Sequence, residues 1–319
     1  MAVDVSQISQ CRVLLHVGFH KTATTFLQKK VFPDLDLNYV SILDLQDKLN
    51  ELLYQDLFNF RASQWQSFFA DKFQTSQLNL ISEEKLSGQP SIGYLNNSIV
   101  LQKLQAIFPQ ARILIVLRRQ ADLLVSMYKQ HIKEGGWYSP EEYFSLKGSV
   151  SGTDYNIYRK CLNIEVFKFS EFIKAYQQAF GKENVDVVFY EEIFKTSALS
   201  DIFKRNGIEF SLKSYTSEKR VNMAYNQRQL WIAAKLNRYL GSQHNPNPLI
   251  PAFRIPRIGT INVVKLRKVL QTQKIKWFQK SEPFVFSDQV KRHVVEFFQD
   301  DNLALQELIG RELPPGYLK

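Results

Sequence analysis

Residues Val17–Gln28 read VGFHKTATTFLQ, and His20, Lys21, Thr22, Thr24 and Thr25 crowd the middle of that stretch. A lysine ammonium beside several hydroxyls is a set of groups that holds an oxyanion. The flanking residues favour the same chemistry. The apolar run RVLL before the stretch reads as a strand, and Phe26 and Leu27 begin the buried face of a helix. A helix entered from a strand presents unpaired backbone N–H groups and the positive end of its dipole at the turn. Gly18 permits a tight exit from the strand. The spacing departs from the ATP-binding pattern G-x-x-x-x-G-K-[ST]: Lys21 follows Gly18 by three residues, and the second glycine is absent. The plainer alternative is a threonine-capped helix with an exposed lysine.

Two further clusters bear on that choice. In LIVLRRQADLLVSMY an apolar run ends in Arg118, and Ser126 follows eight residues on. An arginine at the carboxyl end of a parallel strand faces the ligand crevice, and arginine plus serine suits a second phosphate. Ser126 by itself also reads as a serine on a helix surface. In LISEEKLSG, Glu83 and Glu84 follow another predicted strand. A carboxylate beside a lysine-lined anion site is a candidate general base; alone, such a loop reads as solvated turn charge.

The elements that must position these groups follow from periodicity. Apolar, β-rich runs predict strands at Arg12–Val17, Asn38–Ser41, Leu78–Ser82, Arg112–Leu117 and Val185–Tyr190. Helical spacing follows in QADLLVSMYKQHIKEGG, stopped by Gly135, and in SEFIKAYQQAFG, with Ser170 as N-cap and Gly181 as stop. A last helix is expected from about Asp288 to Leu308. Strands alternating with helices predict an α/β fold with a parallel β-sheet flanked by helices. We expect one domain over residues 1–319. Pro246, Pro248, Pro251 and Pro256 exclude regular helix from the 241–262 stretch, which reads as a proline-rich loop over an acceptor site or as a linker. His16 is expected inside the sheet and His131 on a helix surface. Trp137 and Tyr138 are candidates for an acceptor cleft or for packing.

The chain carries a net charge of +10, unevenly distributed. From Lys219 to Lys280 there are 13 lysines and arginines and no acid. Such one-sidedness points to an anionic partner, whether nucleotide phosphate, acidic acceptor, lipid head group or nucleic acid. No run approaches the roughly 20 apolar residues of a membrane helix. The start MAVDVSQISQCRV lacks the basic-then-apolar pattern of a secretory signal. Cys11 and Cys161 have no metal-ligand spacing and read as free thiols. A cytoplasmic location is the expectation.

Taken together, the three clusters resemble the sulfotransferases that use 3′-phosphoadenosine 5′-phosphosulfate (PAPS). GFHKTATTFLQ is similar to their 5′-phosphosulfate loop, and VLRRQADLLVSMY to their 3′-phosphate element, with Arg118 and Ser126 in the matching places. SEEKLSG is similar to the S-x-E-x-L-S-G segment of bacterial members, which makes Glu84 rather than Glu83 the matching carboxylate. VFYEEI resembles a Y-E-[DE]-[LI] run that ends a later strand, and EKRVNMAYN a weaker segment after it. The resemblance covers roughly Arg12 to Asn226, in order.

It implies a P-loop nucleotide-hydrolase-like fold and in-line sulfuryl transfer, leaving 3′,5′-adenosine bisphosphate. It further implies that Lys21 stabilises the bridging oxygen. Thr22, Ala23, Thr24 and Thr25 hold the 5′-phosphate, largely through backbone N–H. Arg118 and Ser126 bind the 3′-phosphate, and Arg220 and Asn222 contact that phosphate or the adenine. Glu84 ranks first as base and His20 second, with His20 also a candidate contact to the sulfuryl group. No metal is required. Many members have glycine at the position of Ala23; we expect Ala23 in an ordinary helical first turn, where alanine is unstrained.

The acceptor is a small molecule, glycan or lipid that the sequence does not identify. The partners expected are that acceptor and the nucleotide, with no specific nucleic acid, no transmembrane segment, and room for peripheral membrane contact. Two other readings stand beside this one: a P-loop-type kinase or other NTP-dependent enzyme, and a non-enzymatic polyanion-binding protein.

Overall fold

The computed structural model describes residues 8, 10–146, 162–194, 197–210, 225–242, 244–245, 249, 253–255, 259–261 and 281–318. Arg220, Asn222, Cys161 and the four prolines of the 241–262 stretch lie outside the described residues.

Five strands form one all-parallel sheet: β1 (Val13–Gly18), β2 (Asn38–Val40), β3 (Asn79–Ser82), β4 (Arg112–Leu117) and β5 (Val185–Phe189), in the order β2-β3-β1-β4-β5. β1 and β3 are buried along their whole length, as strands covered on both faces must be. Each fully buried Leu or Val of β1 contributes roughly 1.5–3 kcal/mol by leaving water. The helices are α1 (Thr24–Phe26), α2 (Ile42–Tyr54), α3 (Ala62–Ala70), α4 (Asn97–Ile107), α5 (Gln120–Lys133), α6 (Pro140–Tyr143), α7 (Phe169–Phe180), α8 (Ala198–Arg205), α9 (Gln227–Asn237) and α10 (Asp288–Ile309). α1 runs directly into a π-helical turn, Leu27–Val31. Leu27, Val31 and Phe32 pack with Leu14, Leu114, Val116, Val188 and Phe203 in a core cluster formed by sheet and helices. The α/β architecture with a parallel sheet flanked by helices is therefore as the sequence predicts.

Packing divides the chain into two compact units. The first holds residues 1–120, 165–217 and 297–319, and includes the whole sheet. Within it, β1 is central, so the carboxyl ends of β1, β3 and β4 meet where strand order reverses. That is the position at which open α/β sheets hold ligands.

Distant residues fasten the helices of this unit. α7 begins at Phe169 with Lys168 at the N-cap, not at the expected Ser170. Asp301 accepts from the Phe169 N–H at 2.7 Å, the Ser170 N–H at 3.2 Å and the Ser170 hydroxyl at 2.5 Å. Three donors at the positive end of a helix favour a carboxylate, and Ser170 serves as one donor. Gln120 donates to Asn302 at 2.7 Å, and Asn302 donates to the Tyr317 carbonyl at 2.8 Å.

The second unit holds residues 121–164 and 218–296. Asn226 and Gln229 form a capping box at the start of α9. At its other end Asn237 Nδ2 donates to the carbonyls of Ile132 and Gly136, each at 2.8 Å. His131, expected on a surface, is buried at 2% exposure. Its ring stacks on Tyr143 at 4.0 Å, with Gly136 against it; a Cβ on Gly136 would fall 2.1 Å from the imidazole. Tyr138 stacks near His131, and its carbonyl accepts from the Tyr128 hydroxyl. Phe253–Ile255 and Gly259–Ile261 pair as a short antiparallel ladder, β6 and β7, inside the proline-rich stretch.

Candidate functional site

The loop after β1 is held by an aromatic plug at its first residue. Phe19 is fully buried, and its ring lies 4.8–5.6 Å from those of Phe172, Phe169, Phe167 and Tyr94. The next turn closes on itself. The Thr22 hydroxyl donates to the Phe19 carbonyl at 2.5 Å. Gly18 leaves the space this needs: a Cβ there would stand 3.1 Å from Thr22 Oγ1. The Thr22 hydroxyl, expected as a ligand donor, is thus engaged within the turn.

Lys21 and Ala23 both adopt left-handed backbone, with φ 72° and 68°. The expectation of an ordinary helical turn at Ala23 is corrected. Ala23 is the N-cap of α1, and its carbonyl accepts from Phe26 N at 2.9 Å and Leu27 N at 3.1 Å. Alanine has no side-chain acceptor, so the backbone alone makes this cap. Non-glycine residues in this region cost about 1–3 kcal/mol each and concentrate at ligand sites. Thr24 is 2% exposed, and its hydroxyl has no hydrogen-bond partner among the described residues. A buried hydroxyl left so is costly unless something arrives to pair with it. Thr25 is exposed.

Arg118, at the end of β4, donates to the Lys21 carbonyl at 3.0 Å and lies over the Tyr190 ring at 4.5 Å. It therefore fastens the back of the β1 loop. Its Nε is buried without a partner among the described residues. The following residue, Arg119, receives Glu191 Oε1 on its backbone N–H at 3.0 Å, and its guanidinium donates to the Pro315 carbonyl at 3.2 Å. Ser126 is half-buried on α5, in the other compact unit.

After β3 the two glutamates separate in role. Glu83 folds back, and its carboxylate accepts from the Lys85 N–H at 3.0 Å, capping the 3-10 turn Glu84–Ser87. Ser87 joins this turn to the β1 loop by donating to the Gly18 carbonyl at 3.1 Å. Glu84 has a different partner: its Oε1 lies 3.5 Å from His20 Nε2. The other nitrogen, His20 Nδ1, lies 3.1 Å from the Tyr94 hydroxyl. The structure thus brings together His20, Lys21, the 22–25 turn, Glu84 and Arg118.

Burial and the charge of Glu83 push the Glu84 carboxyl up to about 7, against the opposing pull of Lys21 and Lys85. Burial and the same two lysines push His20 down to about 3. Near neutrality His20 is neutral and Glu84 is about half ionised.

Tyr94 and Lys85 were not singled out from the sequence. Tyr94 is fully buried with φ 61°, beside Gly88 at φ 113°, where a Cβ would stand 3.1 Å from the Tyr94 ring. The paired glycines in SGQPSIGY are the one local sign of this turn.

No family model and no curated protein matches this chain. Among solved structures it is similar to a sulfotransferase from Alicyclobacillus acidocaldarius at 15% identity, over 94% of this chain and 96% of that one, with a TM-score of 0.49. It is also similar to the sulfotransferase domain of the curacin biosynthetic pathway at 14% identity, over 95% and 99%, with a TM-score of 0.37.

Proposed function

We propose that this chain is a sulfotransferase that moves a sulfuryl group from 3′-phosphoadenosine 5′-phosphosulfate to an acceptor oxygen or nitrogen. The observation that carries the reading is the approach of Glu84 to His20, one residue from Lys21, in a loop whose backbone is forced left-handed on either side of Thr22. A base near its working pKa and a cation for a leaving oxygen then share one site.

The residues fit the donor. The unpartnered Thr24 hydroxyl and the loop N–H groups suit a 5′-phosphate, with the exposed Thr25 beside them. The buried, unpartnered Arg118 Nε suits a further anionic group, and we assign it the 3′-phosphate together with Ser126. Arg220 and Asn222 remain proposed contacts to that phosphate or the adenine. The donor supplies an activated sulfuryl group on a good leaving phosphate. Glu84 takes the acceptor proton, and Lys21 balances charge on the departing oxygen. His20, held neutral, contacts Glu84 and orients it. A Tyr94 hydroxyl that donates to Nδ1 leaves the His20 proton on Nε2, the side facing Glu84.

Calorimetric titration with 3′,5′-adenosine bisphosphate, then with ATP and magnesium, tests the reading. Tight bisphosphate binding with none for ATP is expected, and the reverse overturns it. The acid-free 219–280 segment supports an anionic or amphipathic acceptor, such as a glycan or lipid. Exclusive turnover of neutral phenols in an acceptor screen would count against that class.

A further inference from the structure

Along α9 the residues that pack inward are Leu230, Ala233 and Asn237, with Leu240 just beyond, all under 9% exposed. The opposite side carries Trp231 and Lys235, one turn apart on α9, followed by Arg238 at the C-cap and Tyr239 in the turn beyond it. Trp231 is 58% exposed and Tyr239 47%, while Lys235 and Arg238 are exposed between them. Two exposed ring systems eight residues apart, with cations between, make an amphipathic edge and not a scattered set of surface residues.

We propose that this stripe docks the protein on an anionic lipid surface. Three observations favour a lipid headgroup layer over other partners. Indole and phenol rings beside lysine and arginine settle at the boundary of water and acyl chain, where rings enter and cations stay with the headgroups. The stripe lies within the 219–280 segment, which has 13 basic residues and no acid to repel a negative leaflet. The Lys235 ammonium sits 3.9 Å over the Trp231 ring, covering a face on which a sugar would stack. The contact proposed is peripheral, and no helix among the described residues is long and apolar enough to cross a membrane. The capping box at Asn226 and the Asn237 bonds fix both ends of α9, so Trp231 and Lys235 are presented on a ready-formed helix, with Arg238 and Tyr239 directly after its fastened end. This inference is independent of the sulfuryl-transfer reading.

Cosedimentation with vesicles of phosphatidylcholine alone, or of equal parts phosphatidylcholine and phosphatidylserine, tests it. Binding is expected to the anionic vesicles only, and to weaken as salt shortens the screening length. Trp231→Ala is expected to reduce binding at least tenfold, and Lys235→Ala with Arg238→Ala by roughly thirtyfold. Unchanged thermal unfolding of both variants separates these losses from misfolding. Equal binding to neutral vesicles, no binding to either, or full binding by the variants overturns the proposal. So does heparin binding that needs Trp231 without vesicle binding, which would assign the stripe to a glycan. Self-association that buries Trp231 before any vesicle is added would assign it to a second copy and equally overturn the proposal.

Discussion

Glu84 Oε1 stands 3.5 Å from His20 Nε2. The two groups between which the proton-acceptor role was divided are thus neighbours, with opposite displacements: Glu84 up to about 7, His20 down to about 3. A base with the lower value is nearly inert at neutrality, whereas one near 7 is well matched. We therefore predict that kcat/KM rises with pH through about 7 and levels off above it. Glu84→Gln should lower kcat by about 10²–10⁴ and flatten that rise. Initial rates across a buffer series check both, and an unchanged profile in the variant returns the role to His20.

The same carboxyl has a consequence for stability. Its folded value lies above the unfolded one near 4.5, so folding favours the protonated form. Its contribution is full below pH 4.5 and is lost as pH rises through about 7. Glu84→Gln should therefore stabilise the ligand-free protein at alkaline pH, by about 1–2 kcal/mol once partial exposure is allowed for, with no gain in acid. Denaturant unfolding at both pH values reads this out; an equal effect at both would contradict the assigned cause.

Ala23 is the cheapest local test of strain. Its φ of 68° suits glycine, and alanine there is destabilising. Ala23→Gly should raise unfolding free energy by about 1 kcal/mol. A fall in thermal midpoint would mean that the Ala23 methyl, which packs on the core cluster, outweighs the backbone term.

Arg118 bonds the Lys21 carbonyl and is also the proposed 3′-phosphate ligand. Ligand choice separates these roles. Arg118→Ala should weaken 3′,5′-adenosine bisphosphate roughly tenfold to a hundredfold and 5′-AMP far less. Equal losses in a paired titration would mean that the side chain serves only to hold the loop.

Asp301 gathers three donors at the start of α7. Asp301→Ala leaves buried N–H groups unpaired and should cost about 2–4 kcal/mol. Asp301→Asn, which keeps an acceptor, should cost less. Matched denaturant curves would rank the two, and equal costs would show that charge rather than acceptor geometry matters.

The five strands fall within a residue of the limits read from sequence, because each carries a short apolar, β-branched or aromatic stretch that the sheet buries, most plainly RILIVL in β4. The candidate site is legible where its residues share a local stretch: Lys21 with the 22–25 turn, and Glu84 after β3. It is not legible where the partner is remote. Tyr94 reaches His20 across 74 positions, and Asp301 reaches Ser170 across 131. The left-handed turn at Ala23 leaves no mark in the local sequence, because it depends on Thr22 closing back on Phe19 and on Arg118 holding Lys21. Periodicity cannot register such pairs. The burial of His131, expected on a surface, has a similar cause, since Gly136 and Tyr143 create its slot.

The unit that carries the sheet is assembled from three separated stretches, residues 1–120, 165–217 and 297–319. During synthesis the strands emerge early and can align. The clasps made by Asp301, Asn302 and the Pro315–Tyr317 turn exist only once the last stretch leaves the ribosome. At roughly 5–20 residues per second, a nascent chain waits on the order of ten seconds with the start of α7 unclasped. That interval, and not the finished molecule, is where chaperone capture and aggregation should concentrate.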